Sequence, residues 1–418
     1  MGRKLNKNKI INDPVLGFIS LPYESLYDLL QHPYIQRLTR IKQLGLSLLV
    51  YPGNTHTRFI HSLGAMHLTA EALRQLKDKG NDITDEEAEA TLQAILLHDI
   101  GHGPFSHALE NIIVEKLQHE EITLIMMNKI NKVYGGMLDL AIKIFKNEYH
   151  KKYFHQLISS QLDMDRLDYL IRDSFFSGVR EGSIGAERII KMLNVKDDKL
   201  VIEAKGIYSA ENFLIARRLM YWQVYLHKTT VSAEHMLKSI LIRAKELSLS
   251  GKKLYASTAL QYFISNRISG ETFRNSQEAL EKFSFLDDSD VISAIKEWSQ
   301  CDDKILSYLC KSLINRRLFK VKTGETENEF DAFCDEIKKK YKALGYSDDE
   351  IEYLYSCGEV KSRTYDPSND KIQIIEKDGN TTEISDASDL LNTNTVTRKT
   401  SKYYLCYAQV FEENIEAN

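Results

Sequence analysis

The run Leu96-Leu-His-Asp-Ile-Gly-His-Gly-Pro-Phe-Ser-His-Ala-Leu-Glu110 places His98, Asp99, His102, His107 and Glu110 within fifteen positions. Seven of the chain's twelve histidines (His56, His61, His67, His98, His102, His107 and His119) fall between positions 56 and 119. Imidazole nitrogen and carboxylate oxygen together suit a divalent ion of intermediate hardness. On a regular helix adjacent His98 and Asp99 point about 100° apart, so both reach one cation only where the helix frays or ends. The apolar Ala94-Ile95-Leu96-Leu97 before them and Gly101, Gly103 and Pro104 after them predict that a buried helix ends here. Two more ligands must come from elsewhere. A plain polar loop is the competing reading, but five ionisable groups around two glycines suit a functional site better.

The elements that must position these groups are mostly helices. Asp13-Pro14, Gly17 and Pro22 between short apolar runs predict a strand or hairpin at the start. Leu26, Leu29 and Leu30, then Ile35, Leu38, Ile41 and Leu44, recur at helical spacing, with His32-Pro33 dividing two helices. A helix over Thr57 to Leu76 puts Arg58 and His61 on one face. Thr84-Asp-Glu-Glu87 reads as a capping box whose helix runs into His98. His119-Glu120 is expected on a helix carrying Ile112, Leu117 and Ile122. In QLDMDRLDYLIRD, Leu162, Leu167, Leu170 and Ile171 form the buried stripe, while Asp165, Tyr169 and Asp173 at i, i+4 and i+8 share another face. An inward carboxylate needs a cation or an arginine, and a metal facing Asp165 meets that need. Ser209 to Leu247 reads as a long helix or helix pair from which Arg217, Tyr221 and Tyr225 project.

At 418 residues, 43% hydrophobic and 27% charged, the chain has the composition of a soluble globular protein with one large domain and a smaller appendage. The domains are expected at 1–347 and 348–418, because beyond about Asp348 the pattern turns to strands, with an Asp378-Gly379 hairpin turn and a Tyr403–Val410 strand. A net charge of −4 gives no global basic field, which disfavours nucleic-acid binding as the main role. Five cysteines, none in a CxxC pair, read as reduced thiols of a cytoplasmic protein. No stretch of about 18 apolar residues exists, so no membrane span is expected.

Taken in order from about Ile35 to Thr326, IKQLG, the Pro52-Gly53 turn with TRFIHS, HDIGHGPFSH, His119-Glu120, DMDRLDYLIRD and RRLFKVKTGET resemble the HD phosphohydrolase superfamily. Within it the likeness is to the dNTP triphosphohydrolases, the bacterial dGTPase-like enzymes and the human enzyme that joins a SAM domain to an HD domain. The resemblance implies a mainly α fold, an HD-domain helical core with a small β-containing C-terminal region. It implies one divalent metal ion (Mn, Fe, Mg or Zn) on His61, His98, Asp99 and Asp165. His107 would be the proton donor, assisted by Glu110 and His119, with His102 near the α-phosphate. Arg58, Arg166 and Arg217 would hold the triphosphate, Tyr169 and Asp173 the sugar 3′-hydroxyl, and Gln43, Leu44 and Tyr225 the base and sugar. Arg316 and Lys320, set on one face of a strand, match positions that bind activating nucleotides between subunits, which implies a homo-oligomer, tetramer or dimer. Glu110 replaces Asp and Arg166 replaces Lys, both conserving charge, while Thr39 replaces an Arg used in regulator binding, and no SAM domain is present. The expected reaction converts a dNTP to deoxynucleoside and inorganic triphosphate. The alternatives are an HD phosphohydrolase for a monophosphate, cyclic nucleotide or alarmone, and a catalytically silent nucleotide or nucleic-acid sensor.

Overall fold

The computed structural model describes residues 4–324, 328–362, 365–366, 370–388 and 400–410. Four helices surround the histidine-rich run: α1 (Arg58–Asp78), α2 (Asp85–Leu97), α3 (His119–Val133) and α4 (Met164–Ser177). α1 packs on both α2 and α4. Every residue of α2 from Glu87 to Leu97 is buried, so this helix lies at the centre and shows no amphipathic face. Its start is fixed by the expected capping box, in which the Thr84 hydroxyl accepts from the Glu87 amide at 3.1 Å and Glu87 accepts from the Thr84 amide at 2.8 Å. Its end falls at Leu97, with His98 as the capping residue. Gly101 then passes so close to α3 that an added Cβ would lie 2.1 Å from the His119 carbonyl oxygen.

Beyond α4 run α5 (Ile207–Met220) and α6 (Lys228–Leu249), the helix pair expected from the sequence. Between them Tyr221–Tyr225 forms a wide turn, closed by the Leu226 amide donating to the Tyr221 carbonyl at 2.8 Å. This i→i+5 geometry is uncommon and concentrates at functional sites. Farther on, α7 (Asp288–Trp298) and α8 (Lys304–Ile314) complete the helical body, and α9 (Asn328–Ala343) leads towards the C-terminal strands.

Three small sheets complete the fold. The expected N-terminal hairpin is β1 (Lys4–Asp13) with β2 (Gly17–Tyr23). β3 (Leu193–Lys196) and β4 (Lys199–Glu203) turn at Asp197-Asp198, both at positive φ. The remaining strands are β5 (Lys320–Gly324), β6 (Tyr355–Ser362), β7 (Gln373–Ile375), β8 (Thr381–Glu383) and β9 (Thr400–Tyr407). The sheet orders are β3-β4-β7-β8 and β5-β9-β6, with β4 and β7 parallel. Strands from both sides of the 347/348 boundary therefore share these two sheets. The Tyr341 hydroxyl on α9 points at the carbonyls of Ala408 (2.9 Å) and Leu354 (3.1 Å) from full burial.

Three expectations need correction. The helix over Ile35 to Leu44 is broken into a turn at Pro33–Gln36, a 3-10 turn at Arg37–Arg40 and another at Gly45–Leu49. Two long-range attachments compete with helix here. Arg37 is fully buried and donates to the carbonyls of Leu286 (3.0 Å), Ile100 (2.8 Å) and His102 (2.8 Å), while Asp288 accepts from the Lys42 amide at 3.0 Å. Ile112 and Leu117 precede α3 rather than lying on it, because the chain turns at Asn111 and Lys116 through positive φ. Arg316 lies outside the strand, at φ 58° in the turn after α8, and β5 begins only at Lys320.

Replacing Tyr341 by Phe removes the hydroxyl that joins α9 to the C-terminal strands. A denaturant titration is expected to read a loss of about 1–3 kcal/mol, the cost of leaving buried carbonyls short of a donor.

Candidate active site

Arg58 and His61 stand one turn apart at the start of α1 and both are buried. The His61 Nδ1 lies 2.8 Å from Asp168 Oδ2, and its Nε2 lies 3.0 Å from Asp165 Oδ1. Asp168 is itself gripped by Arg172, whose Nε and Nη2 donate at 2.9 and 2.8 Å, and Arg172 Nη1 reaches Asp13 of β1 at 2.7 Å. Nδ1 thus donates to Asp168, which turns Nε2 of His61 towards Asp165. Gly64 is required beside this chain, since a Cβ there would meet Asp168 Oδ1 at 1.9 Å.

His98 reaches the same point from the end of α2. Its Nδ1 donates to the Ile95 carbonyl at 2.6 Å, and its Nε2 is buried without a hydrogen-bond partner, 3.4 Å from Asp99 Oδ1 and 3.5 Å from Asp165 Oδ1. His61, His98 and Asp99 each offer a ligand atom within 4.8 Å of one another. Asp165, half-buried on α4, faces both imidazoles. Burial opposes ionisation of Asp99, but Arg58, His98 and His102 hold it well below the carboxylate range. Burial opposes it at Asp165 too, and the facing imidazoles of His61 and His98 overcome that. Burial works against a charged His61 as well, yet Asp165 and Asp168 push it up to about 10. Two ionised carboxylates converging on a buried, unpartnered imidazole nitrogen fit a divalent cation.

Beside this cluster, His102 and His119 stack with centroids 3.8 Å apart. Burial and then the Arg58 charge hold His102 well below the imidazole range, so it is neutral. His119 Nδ1 lies 2.9 Å from Glu110 Oε1, which also accepts from the His119 amide at 3.1 Å. His107 lies in the short turn Ser106–Leu109, and its side chain falls outside the described residues. Just before it, Phe105 and Ser106 both hold φ 54°, a strained backbone for residues with a Cβ. The Phe105 amide is held by Asp288 Oδ1 at 2.8 Å, so one carboxylate fixes both this loop and Lys42.

A cavity of about 450 Å³ opens over the cluster, and Gln43, Leu44, Arg58, Asp99, His102, His119, Asp165, Arg166, Tyr169, Asp173 and Tyr225 are all on its wall. Arg58 Nη1 bonds Asp99 at 2.5 Å and its Nε bonds Ser106 at 2.8 Å. Arg166 donates from Nε to the Ser160 carbonyl at 2.7 Å. Asp173 is held by His56 Nε2 at 2.8 Å and by the Tyr225 hydroxyl at 2.9 Å. Arg217 is buried, its guanidinium 5.9 Å from the ring of Tyr221, which lines the cavity. Arg316 and Lys320 line a separate cavity of about 900 Å³ together with Lys228 and Arg317. Sequence reasoning passed over His56, Asp168, Arg37 and Asp288 as site-shaping residues. Only His56 carried a signal, as one of the seven clustered histidines.

Residues 58–173 match the model of the HD domain, and residues 184–268 that of the HD associated region. The uncharacterized protein YwfO of Bacillus subtilis is 32% identical, covering 95% of this chain and 92% of its own length. A phosphohydrolase from Bacteroides thetaiotaomicron, solved by crystallography, is 55% identical, superposes with a TM-score of 0.91 and covers 96% of this chain and all of its own. A deoxynucleoside triphosphate triphosphohydrolase of Dictyostelium discoideum, a SAMHD1 homolog, is 29% identical over 57% of this chain, which spans half of that protein's length. Among the described residues no helix is long and apolar enough to cross a membrane.

His98→Ala is expected to abolish divalent-ion binding. Asp168→Asn, which leaves His61, His98, Asp99 and Asp165 in place but loosens His61, is expected to weaken it by about 10–100-fold. Metal content after dialysis against graded chelator reads both effects, and unchanged content in His98→Ala would place the ion elsewhere.

Proposed function

Because the chain belongs to the HD phosphohydrolase superfamily, we propose that it hydrolyses deoxynucleoside triphosphates to deoxynucleoside and inorganic triphosphate. The observation that carries this reading is one cavity wall on which Arg58 and Arg166 stand beside the carboxylate–imidazole cluster and the Tyr169, Asp173 and Tyr225 group. The likeness to a deoxynucleoside triphosphate triphosphohydrolase supports it.

A divalent cation on His61, His98, Asp99 and Asp165 supplies, when bound, electrophilic assistance and an acidified water. Arg58 and Arg166 bind phosphate oxygens through planar donors, a geometry that lysine lacks. Arg217, buried beside Tyr221, joins them in holding the triphosphate. Water oxygen bonds to the α-phosphorus as the bond from phosphorus to the 5′-oxygen breaks, so the triphosphate departs whole. The 5′-oxygen takes its proton from His107, with the Glu110–His119 pair beside it; neutral His102 serves as a hydrogen-bonding partner. Asp173, oriented by His56 and Tyr225, accepts from the sugar 3′-hydroxyl near Tyr169. Tyr225, tied to Asp173, crowds the 2′ position, so ribonucleotides are poor substrates.

The second, cationic cavity supports a regulatory reading of Arg316 and Lys320. On this reading an activating nucleotide sits there, and the protein assembles as a homo-oligomer, dimer or tetramer. Arg316 Nε donates to the Leu49 carbonyl at 3.0 Å, at the end of the turn that borders the catalytic cavity, which gives an effector a physical route to it.

Incubation of the Mn-loaded protein with each dNTP, NTP, dNMP and cyclic nucleotide, followed by ion-exchange separation, is expected to yield inorganic triphosphate from dNTPs alone. Orthophosphate or pyrophosphate would assign another phosphohydrolase substrate, and nucleotide binding without turnover a sensor. Kinetics in dNTP mixtures are expected to be sigmoidal, with Arg316→Ala lowering activation and light scattering reporting an oligomer. Hyperbolic kinetics unaffected by Arg316→Ala would remove the regulatory part.

A further inference from the structure

Residues 160–163 form the turn that enters α4. None of them stands on the wall of the catalytic cavity, yet two of them hold arginines of the triphosphate group. Asp163 is the N-cap of α4, and its Oδ1 accepts from the Arg166 amide at 2.7 Å. That bond alone satisfies the cap. The second oxygen reaches further: Asp163 Oδ2 accepts from the Ser160 amide at 2.7 Å and lies 3.2 Å from Arg166 Nε, which also donates to the Ser160 carbonyl at 2.7 Å. Two residues before Asp163, Gln161 Oε1 accepts from Arg217 Nη1 at 3.4 Å, and both side chains are buried. On the far side of the turn, Ser160, Gln161 and Leu162 face β4 and residues 370–373 across a cavity of about 20 Å³, room for about one water. The turn therefore has little space to recoil into.

Asp163 is 1% exposed. Taking a carboxylate this far out of water is costly, and a neutral Asn or Ser caps a helix as well. Its charge therefore serves more than the cap, and what it meets is the Arg166 guanidinium. With Nε held by the Asp163 carboxylate and the Ser160 carbonyl, the guanidinium plane is fixed, and its two Nη groups are left to fork on phosphate oxygens in the cavity that Arg166 lines. An ammonium has no plane to fix, so the turn suits an arginine at position 166 rather than a lysine.

We propose that residues 160–163 are the back plate of the triphosphate clamp, with Asp163 the positioning residue of Arg166 and Gln161 that of Arg217. This rests on the dNTP reading of the cavity. Neither residue touches the nucleotide; each holds an arginine in its binding orientation beforehand, so that less freedom is lost when phosphate arrives.

Asp163→Asn separates the cap from the charge. The amide oxygen keeps the Arg166 amide, while the NH2 group takes the place of Oδ2 and faces the Ser160 amide and Arg166 Nε donor to donor. Triphosphate release from dNTPs by the full-length, Mn-loaded protein gives KM, and added inorganic triphosphate gives an inhibition constant that depends on neither base nor sugar. Asp163→Asn is expected to raise both constants by about tenfold, the worth of one hydrogen bond between charged groups, with bound metal unchanged. In the Arg166→Ala background the same change is expected to have no further effect, whereas a loss through the helix cap or the fold would persist there. Gln161→Ala leaves the cap untouched, so it tests the plate even where Asp163→Asn fails to fold. It is expected to raise both constants about threefold, an effect that vanishes in the Arg217→Ala background. Losses that persist without the arginines, or no loss in either variant, overturn the assignment and leave triphosphate hydrolysis standing. Failure of every dNTP to release triphosphate from the wild type overturns the underlying reading and this inference with it.

Discussion

The site depends on a buried ion pair that touches no substrate. Asp168 and Arg172 are both fully buried, joined by two hydrogen bonds, and extended to His61 on one side and Asp13 on the other. Burying two charges is costly, and removing one partner strands the other at a cost of about 3–5 kcal/mol. The arrangement persists because every member is satisfied: Arg172 has two carboxylates, Asp168 an imidazole and a guanidinium. It fixes which nitrogen of His61 faces Asp165, and it ties the N-terminal hairpin, α1 and α4 to that choice. Stability and metal geometry are here the same interaction.

A second layer of attachments holds the loop that follows α2. Arg37 takes the carbonyls of Ile100 and His102, and Asp288 takes the amides of Lys42 and Phe105. These bonds satisfy backbone groups that a buried irregular segment would otherwise leave unpaired. The strained φ angles at Phe105 and Ser106 are sustained by that scaffolding rather than by local preference.

What the sequence made legible follows from where each determinant lies. The capping box at Thr84, the end of α2 at His98, the shared face of Asp165, Tyr169 and Asp173, and the turn at Asp378-Gly379 are set by neighbours a few residues apart, and the structure has all four. The break in the Ile35–Leu44 helix is set by Leu286 and Asp288, far along the chain, so its apolar spacing misled. Asp168 was indistinguishable from its neighbouring aspartates until the burial of Arg172 singled it out.

The order of strands in the sheet β5-β9-β6 has a consequence for synthesis. β9 is the central strand, yet it is the last of the three to leave the ribosome. Until then β5 and β6 are two open edges with no partner between them, and the helices that carry His61, His98 and Asp99, built from far earlier residues, can already have packed. The catalytic cavity and the cationic cavity, whose wall includes Lys320, Val321 and Gln409, thus come into being at different times. A nascent chain can assemble the His61, His98 and Asp99 cluster before its second pocket exists.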